Sequence, residues 1–167
     1  MLKAPYHQLG LEAILQQYPD ALIVQTHRAP TSFVGSGCSF SELLRKGGSD
    51  RDDPNVIGKD WMDLLRAYTS TFEAARAKLE PLFRDQFVDL YHDDFVQDPW
   101  PGIELIYQRG GRELTEQGRA SMQQWLDDHP KGKHGKHEYS LEKYGITQAE
   151  LESVFGDYVK RYDIGME

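Results

Sequence analysis

A single cysteine, Cys38, stands in a chain of 167 residues, so no disulfide can form within it and a reducing compartment is expected. No run approaches the roughly 20 consecutive apolar residues that cross a bilayer, and the opening MLKAPYHQLG lacks the long apolar stretch of a secretory leader. A cytoplasmic location without a membrane partner is the expectation. Positive charge is also short. The 19 Lys and Arg face 27 Asp and Glu, for a net charge of −8, which repels nucleic acid and anionic membranes and leaves neither expected as a partner. Metal-ligand patterns are missing as well. His134 and His137 stand three apart, but one cysteine and no second ligand pair at suitable spacing argue against zinc, so no metal is expected. Neither G-x-x-x-x-G-K-[ST] nor G-x-S-x-G occurs, which sets aside an ATP-type phosphate loop and a serine-hydrolase elbow.

What remains is an ordinary globular composition, 39% hydrophobic and 28% charged, at a length suited to one domain over residues 1–167. Leu11, Ile14, Leu15 and Tyr18 recur at helical spacing and predict a short helix over 8–18, broken by Pro19. ALIVQTH, residues 21–27, is a continuous run of strand length, β-branched in its middle. It predicts a buried parallel strand with neighbours on both sides. A helix is predicted from Thr31 to about Arg45, stopping at Gly47-Gly48, and residues 47–55 read as loop. From Lys59, the residues Trp61, Leu64, Leu65, Tyr68, Phe72, Ala75 and Leu79 hold a helical period over about five turns, the strongest helix signal in the chain. QFVDLY, 86–91, predicts a second strand; helices follow near 99–109 and after Thr115. A last helix opens with a Thr147/Glu150 capping box and an Ile146–Leu151 staple. Two strands among at least five helices make a poor sheet by themselves, which points to part of a larger α/β fold.

Polar segments interrupt this scaffold. In LKAPYH, Lys3 suits stabilisation of a transferring anionic group and His7 suits a general base, although both also read as ordinary surface residues. In THRAPTSFVGS, Arg28 ends a strand, where open α/β sheets take their ligands. The following helix would aim its N-terminal N–H groups at the same place, and Ser36, eight positions on, can add a hydroxyl. The same two residues also read as a surface ion pair and a serine bonded back within its helix. After the second strand, Tyr91 can stack on or hydrogen-bond a base, and Asp93 or Asp94 can cap the next helix; an aromatic core residue and two caps form the plainer alternative. PKGKHGKHEYS, 130–140, gathers Lys131, Lys133, His134, Lys136 and His137 against the acidic background. Its glycines Gly132 and Gly135 free backbone N–H groups to approach an anion, and a solvated basic loop fits as well.

In order and spacing, LKAPYHQLGLEAILQQYPDALIVQTHRAP, DLYHDDFVQDP and HPKGKHGKHEYSLEKYGI resemble the sulfotransferase superfamily over nearly the full chain. The likeness is strongest to the bacterial-type branch, with its Leu-Lys-Ser-Pro-x-His, Thr-His-Arg-Asp-Pro and Lys-His-Gly-Arg-His-x-Tyr-Ser segments. The resemblance implies a P-loop-containing nucleotide-hydrolase-like sulfotransferase fold of the α/β class, a parallel sheet flanked by helices. It implies transfer of a sulfuryl group from 3′-phosphoadenosine-5′-phosphosulfate to a hydroxyl or amine of a small-molecule acceptor, without a metal. It assigns Arg28 and Ser36 to the donor's 3′-phosphate, Lys3 to the sulfuryl group or its leaving oxygen, and Tyr91 to the neighbourhood of the adenine. Lys131, Gly132 and Lys133 would stand where a loop closes over the 3′-phosphate, and His7 is the residue expected to deprotonate the acceptor.

Two departures accompany the likeness. The family's Asp after His-Arg is Ala29 here. The family's N-terminal half, with its first strand and a Pro-Arg-Ser-Gly-Thr-type loop around the 5′-phosphosulfate, has no counterpart, so a domain truncated at its N-terminus is expected. A sheet edge without its neighbour would invite self-association. A non-catalytic module that binds 3′-phosphoadenosine ligands or a partner chain is the alternative to an enzyme.

Overall fold

Four of the helical segments have a proline in their first two positions, where its locked φ suits the first turn and its missing N–H costs nothing. A computed structural model describes residues 1–48, 53–129 and 140–167. In it, Pro5–Gly10 is a 3-10 turn that runs into helix α1, Leu11–Gln17. Strand β1, Ile23–His27, follows, and Pro30 then starts helix α2, Pro30–Lys46. Helix α3, Pro54–Leu79, begins five residues before the predicted start. Composition marks that stretch as loop, but Asp53 accepts the Asn55 N–H at 2.9 Å and Pro54 opens the first turn.

Strand β2, Phe87–Tyr91, passes directly into helix α4, His92–Gln97, where a connection was predicted. Neither Asp93 nor Asp94 caps α4; both lie inside its first turn, where carboxylates complement the helix dipole. Asp98 instead accepts the Trp100 N–H at 3.1 Å at the start of helix α5, Trp100–Arg109. Helix α6, Glu116–Asp128, and helix α7, Gln148–Tyr162, complete the order. The predicted capping box forms, with Glu150 N–H donating to the Thr147 hydroxyl at 3.2 Å and Thr147 N–H to the Glu150 carboxylate at 2.8 Å. No helix among the described residues is long and apolar enough to cross a membrane.

The two strands are parallel, with Ile23 opposite Phe87, Gln25 opposite Asp89 and His27 opposite Tyr91. Ile23 and Phe87 pack against Phe72, Ala75 and Leu79 of α3 and Leu11 and Leu15 of α1, so the odd-numbered side chains form the face under α3. On the opposite face Val88 and Leu90 are buried, whereas Val24 is 39% exposed. Among the described residues β1 is thus paired along one edge, in line with the expected sheet edge without its neighbour. Among the described residues its only strand neighbour is β2, and no helix covers its Val24 face as α5 covers Leu90 through Gly102.

A second core lies at the other end of α3. Val34 and Cys38 of α2, Ile57 and Met62 of α3, and Leu151 and Phe155 of α7 close there around Tyr144 and Ile146. At 26 residues, α3 is a rod of roughly 39 Å that serves both cores. Its approach to the turn Glu142–Tyr144 is backbone to backbone, since a Cβ on Gly58 would lie 2.0 Å from the Tyr144 carbonyl oxygen.

The two glycines of these long helices give a paired test. Gly58→Ala should destabilise the fold by on the order of 2–3 kcal/mol through overpacking. Gly156→Ala on α7, where nothing lies within 4 Å of the added carbon, should stabilise it by about 0.5–1 kcal/mol. Denaturant unfolding of both variants measures the contrast, and equal effects would contradict the close approach at Gly58.

Candidate functional site

Both strands end at the same level. His27 and Tyr91 are register partners, so Arg28 and Tyr91 leave the sheet side by side at its carboxyl edge. Arg28 is half-buried, and among the described residues no carboxylate pairs with it. By contrast Arg45, Arg76, Arg109, Arg119 and Arg161 each hold one. Ser36 lies half-buried in the second turn of α2, and its hydroxyl makes no hydrogen bond among the described residues. Tyr91 is 37% exposed, its ring 5.3 Å from that of His27. Burial, then the charge of Asp89, pushes its phenol upward.

One expected element is absent from this cradle. The first N–H groups of α2 are already satisfied within the protein. Thr31 donates both its N–H, at 3.2 Å, and its hydroxyl to the Met166 carbonyl, while Ser32 and Phe33 donate to Ala29 at 3.0 and 3.3 Å. The chain's own tail therefore caps the helix that was expected to point free donors at an anion, and side chains are left to do so. Lys3 and His7 belong to the N-terminal segment, which packs against α3 with Tyr6 edge-on to Tyr68 at 6.2 Å. Lys3 is exposed and His7 half-buried, and no hydrogen bond joins either to Arg28, Ser36 or Tyr91. Lys131, Gly132 and Lys133 lie outside the described residues. Among the described residues no cluster of three metal-ligating side chains occurs.

The sequence reading missed the polar network directly beneath Arg28. His27, Gln25 and Asp89 share the face under α3, and Arg76 of α3 reaches down to them. Arg76 is 2% exposed. It donates through Nη1 to Asp89 Oδ1 at 2.6 Å and to Gln25, and through Nη2 to Asp89 Oδ2 at 2.7 Å and Glu80 at 2.9 Å. Its Nε is buried without a partner among the described residues. From α7, Tyr162 donates to Glu73 at 3.0 Å, and Arg161 bridges Glu73 and Glu80 at 3.1 Å each. Burial would push the Asp89 carboxyl up, but hydrogen bonds and charge from Arg76 and His27 hold it well below the usual carboxylate range. Burial also pushes the Tyr158 phenol up to about 12, so it keeps its hydrogen at neutral pH. A faint signal was present in the sequence. Gln25 and His27 stand two apart in an otherwise apolar strand, and Arg76 sits between Phe72 and Leu79 on the buried stripe of α3.

Comparison with known proteins gives one consistent result. The model of the Sulfotransferase family matches residues 1–116. The omega-hydroxy-beta-dihydromenaquinone-9 sulfotransferase Stf3 of Mycobacterium bovis is 23% identical over 168 residues, covering 97% of this chain and 40% of that protein. Sulfotransferase STF9 from Mycobacterium avium superposes with a TM-score of 0.85 at 29% identity, over 99% of this chain and 42% of that one. Sulfotransferase STF1 from Mycobacterium tuberculosis H37Rv gives 0.77 at 33% identity, over 93% and 39%. The chain thus spans about two fifths of the length of the relatives it matches.

Acid should act on the network through Asp89. Its folded carboxyl gives up its proton more readily than its unfolded one. Its stabilisation is therefore complete above the ordinary value of about 3.9 and is lost as the pH falls below it. Glu80, lowered by its hydrogen bond from Arg76, acts in the same sense. The denaturant midpoint should drop between about pH 5 and pH 2. Asp89→Asn should cost about 3 kcal/mol at neutral pH and flatten that dependence; an unchanged acid slope in the variant would refute the assignment.

Proposed function

This chain belongs to the sulfotransferase family, and we propose that it carries the 3′-phosphate-binding part of a site that transfers a sulfuryl group from 3′-phosphoadenosine-5′-phosphosulfate to a hydroxyl or amine. The observation that carries this reading is Arg28. It is a half-buried guanidinium at the carboxyl end of a parallel strand, without a carboxylate partner among the described residues, eight positions before Ser36. Its planar fork suits two parallel hydrogen bonds to a phosphate, and the Ser36 hydroxyl adds a third donor. Tyr91, beside Arg28 at the sheet edge, offers a ring face for the adenine. Lys131, Gly132 and Lys133 supply charge and backbone donors to cover the same phosphate.

At the reacting end, Lys3 stabilises negative charge growing on the bridging oxygen as the S–O bond breaks. His7 takes the proton of the acceptor as its oxygen or nitrogen attacks sulfur in line with the leaving oxygen. Positioning and electrostatics supply most of the rate in group transfers of this kind. The Stf3 name specifies a hydroxylated menaquinone for that protein, and a hydroxyl-bearing small molecule is the acceptor class we assign here. No metal is assigned a role. A cytoplasmic setting accords with the single, buried thiol of Cys38.

A second reading, a non-catalytic module that binds a 3′-phosphoadenosine ligand or a partner chain, is favoured by the side of β1 that has no strand partner among the described residues, with Val24 exposed beside it. That edge offers strand-pairing groups to another chain, a copy of itself included.

Arg28→Ala should weaken adenosine 3′,5′-bisphosphate by on the order of 2–3 kcal/mol and leave adenosine 5′-monophosphate unaffected, as measured by calorimetric titration. Equal losses for both ligands would refute the role of Arg28. A sulfuryl-transfer assay on the same chain separates the two readings, since turnover supports the enzyme and selective binding without turnover supports the module.

A further inference from the structure

His27 is 1% exposed, and both its ring nitrogens are engaged, Nε2 with Asp89 Oδ1 at 2.7 Å and Nδ1 with the Tyr158 hydroxyl at 3.1 Å. A carboxylate can only accept, so Nε2 carries the ring hydrogen and Nδ1 of the neutral ring accepts from Tyr158. Asp89 is itself gripped at both oxygens by Arg76, and the Tyr162 ring lies 4.0 Å from the imidazole. The imidazole is thereby held from β2 and α7 at once. Tyr91, its register partner, is anchored far less. Strand pairing and the start of α4 fix the Tyr91 backbone, but its hydroxyl makes no hydrogen bond among the described residues. Packing alone must set its two side-chain torsions. The ring it packs on is the imidazole, 5.3 Å away with 34° between the planes. The 37% of Tyr91 that stays exposed is the part a ligand can reach.

Building on the adenine role assigned to Tyr91 above, we propose that His27 is a positioning residue for Tyr91. It backs the phenol ring and holds it at the angle at which an adenine stacks on it. Asp89 stands two positions before Tyr91 on the same face of β2, so its bond to Nε2 ties the support to the strand that carries the platform. Support of this kind matters because a binding group left about 1 Å too loose forfeits much of its effect.

The test is a double-mutant cycle read by calorimetric titration on two probes, adenosine 3′,5′-bisphosphate and its abasic counterpart, 1,2-dideoxyribose 3,5-bisphosphate. Both probes carry the phosphates, and only the first carries a base. Tyr91→Ala should weaken the adenosine compound about tenfold through lost stacking and spare the abasic one. His27→Gln removes the ring but keeps an amide donor for Asp89. It should weaken the adenosine compound about fivefold, leave the abasic one unchanged, and add no further loss to Tyr91→Ala. A loss shared equally by both probes, or one that persists in full in the Tyr91→Ala background, would overturn the proposal and leave His27 a core residue only. If Tyr91→Ala discriminates between the probes and His27→Gln does not, the positioning role alone fails. If Tyr91→Ala does not discriminate, the adenine reading fails and takes this one with it. Should His27→Gln not remain folded, Tyr158→Phe, which frees Nδ1 and keeps the imidazole, goes through the same cycle. A loss confined to the adenosine compound and absent in the Tyr91→Ala background is again expected, and no such loss would overturn the proposal.

Discussion

A guanidinium that is 2% exposed must be matched within the protein, and meeting that demand for Arg76 ties together most of the sheet region. Asp89 meets it with both oxygens, Glu80 with one, and Gln25 with its amide oxygen, while the rings of Phe87 and Tyr162 lie 5.0 and 5.4 Å from the guanidinium carbon. These partners come from β1, β2, α7 and Glu80, the C-cap of α3. A slip of β2 by one residue would turn Asp89 to the opposite face, under α5, and leave a bare charge in the interior. Desolvating such a pair offsets much of its Coulomb attraction, so its main effect is to exclude other registers.

The same network shapes the field around Arg28. A protein of net charge −8 repels an anionic donor, so the local balance decides whether one can approach. The nearby carboxylates of Asp89, Glu73 and Glu80 are all occupied by Arg76 or Arg161. They are screened by fixed cations at hydrogen-bond distance, and the charge of Arg28 is left over.

How much of this was legible in the sequence follows from the range of each interaction. The period of α3, the capping box of α7 and the strand pair are local patterns, and all three appear in the structure. Arg28 and Tyr91 were each legible as strand-end residues, but their adjacency depends on the β1–β2 register. The early start of α3 was hidden because Asp53 and Pro54 read as loop residues until one serves as a cap. The polar network was hidden because ALIVQTH reads as apolar, while Gln25 and His27 acquire partners only when α3 and α7 fold over them. Least legible was the tail, whose Met166 carbonyl takes the Thr31 donors across 135 positions and so removes backbone groups that were expected to face a ligand.

Arg28 and Ser36 stand close in sequence but belong to different neighbourhoods. Arg28 continues the strand whose first residue, Ile23, packs in the cluster with Leu15 and Phe87, whereas α2, which carries Ser36, contributes Val34 and Cys38 to the cluster with Ile57 and Phe155. The two clusters are joined by the long rod α3, which contributes Ile57 and Met62 to one and Phe72 and Leu79 to the other. An anion grasped by both residues would act as a non-covalent rivet between them, so that neither cluster could melt without releasing it. Its effect would appear as a sharper melting transition, with a van't Hoff enthalpy closer to the calorimetric one.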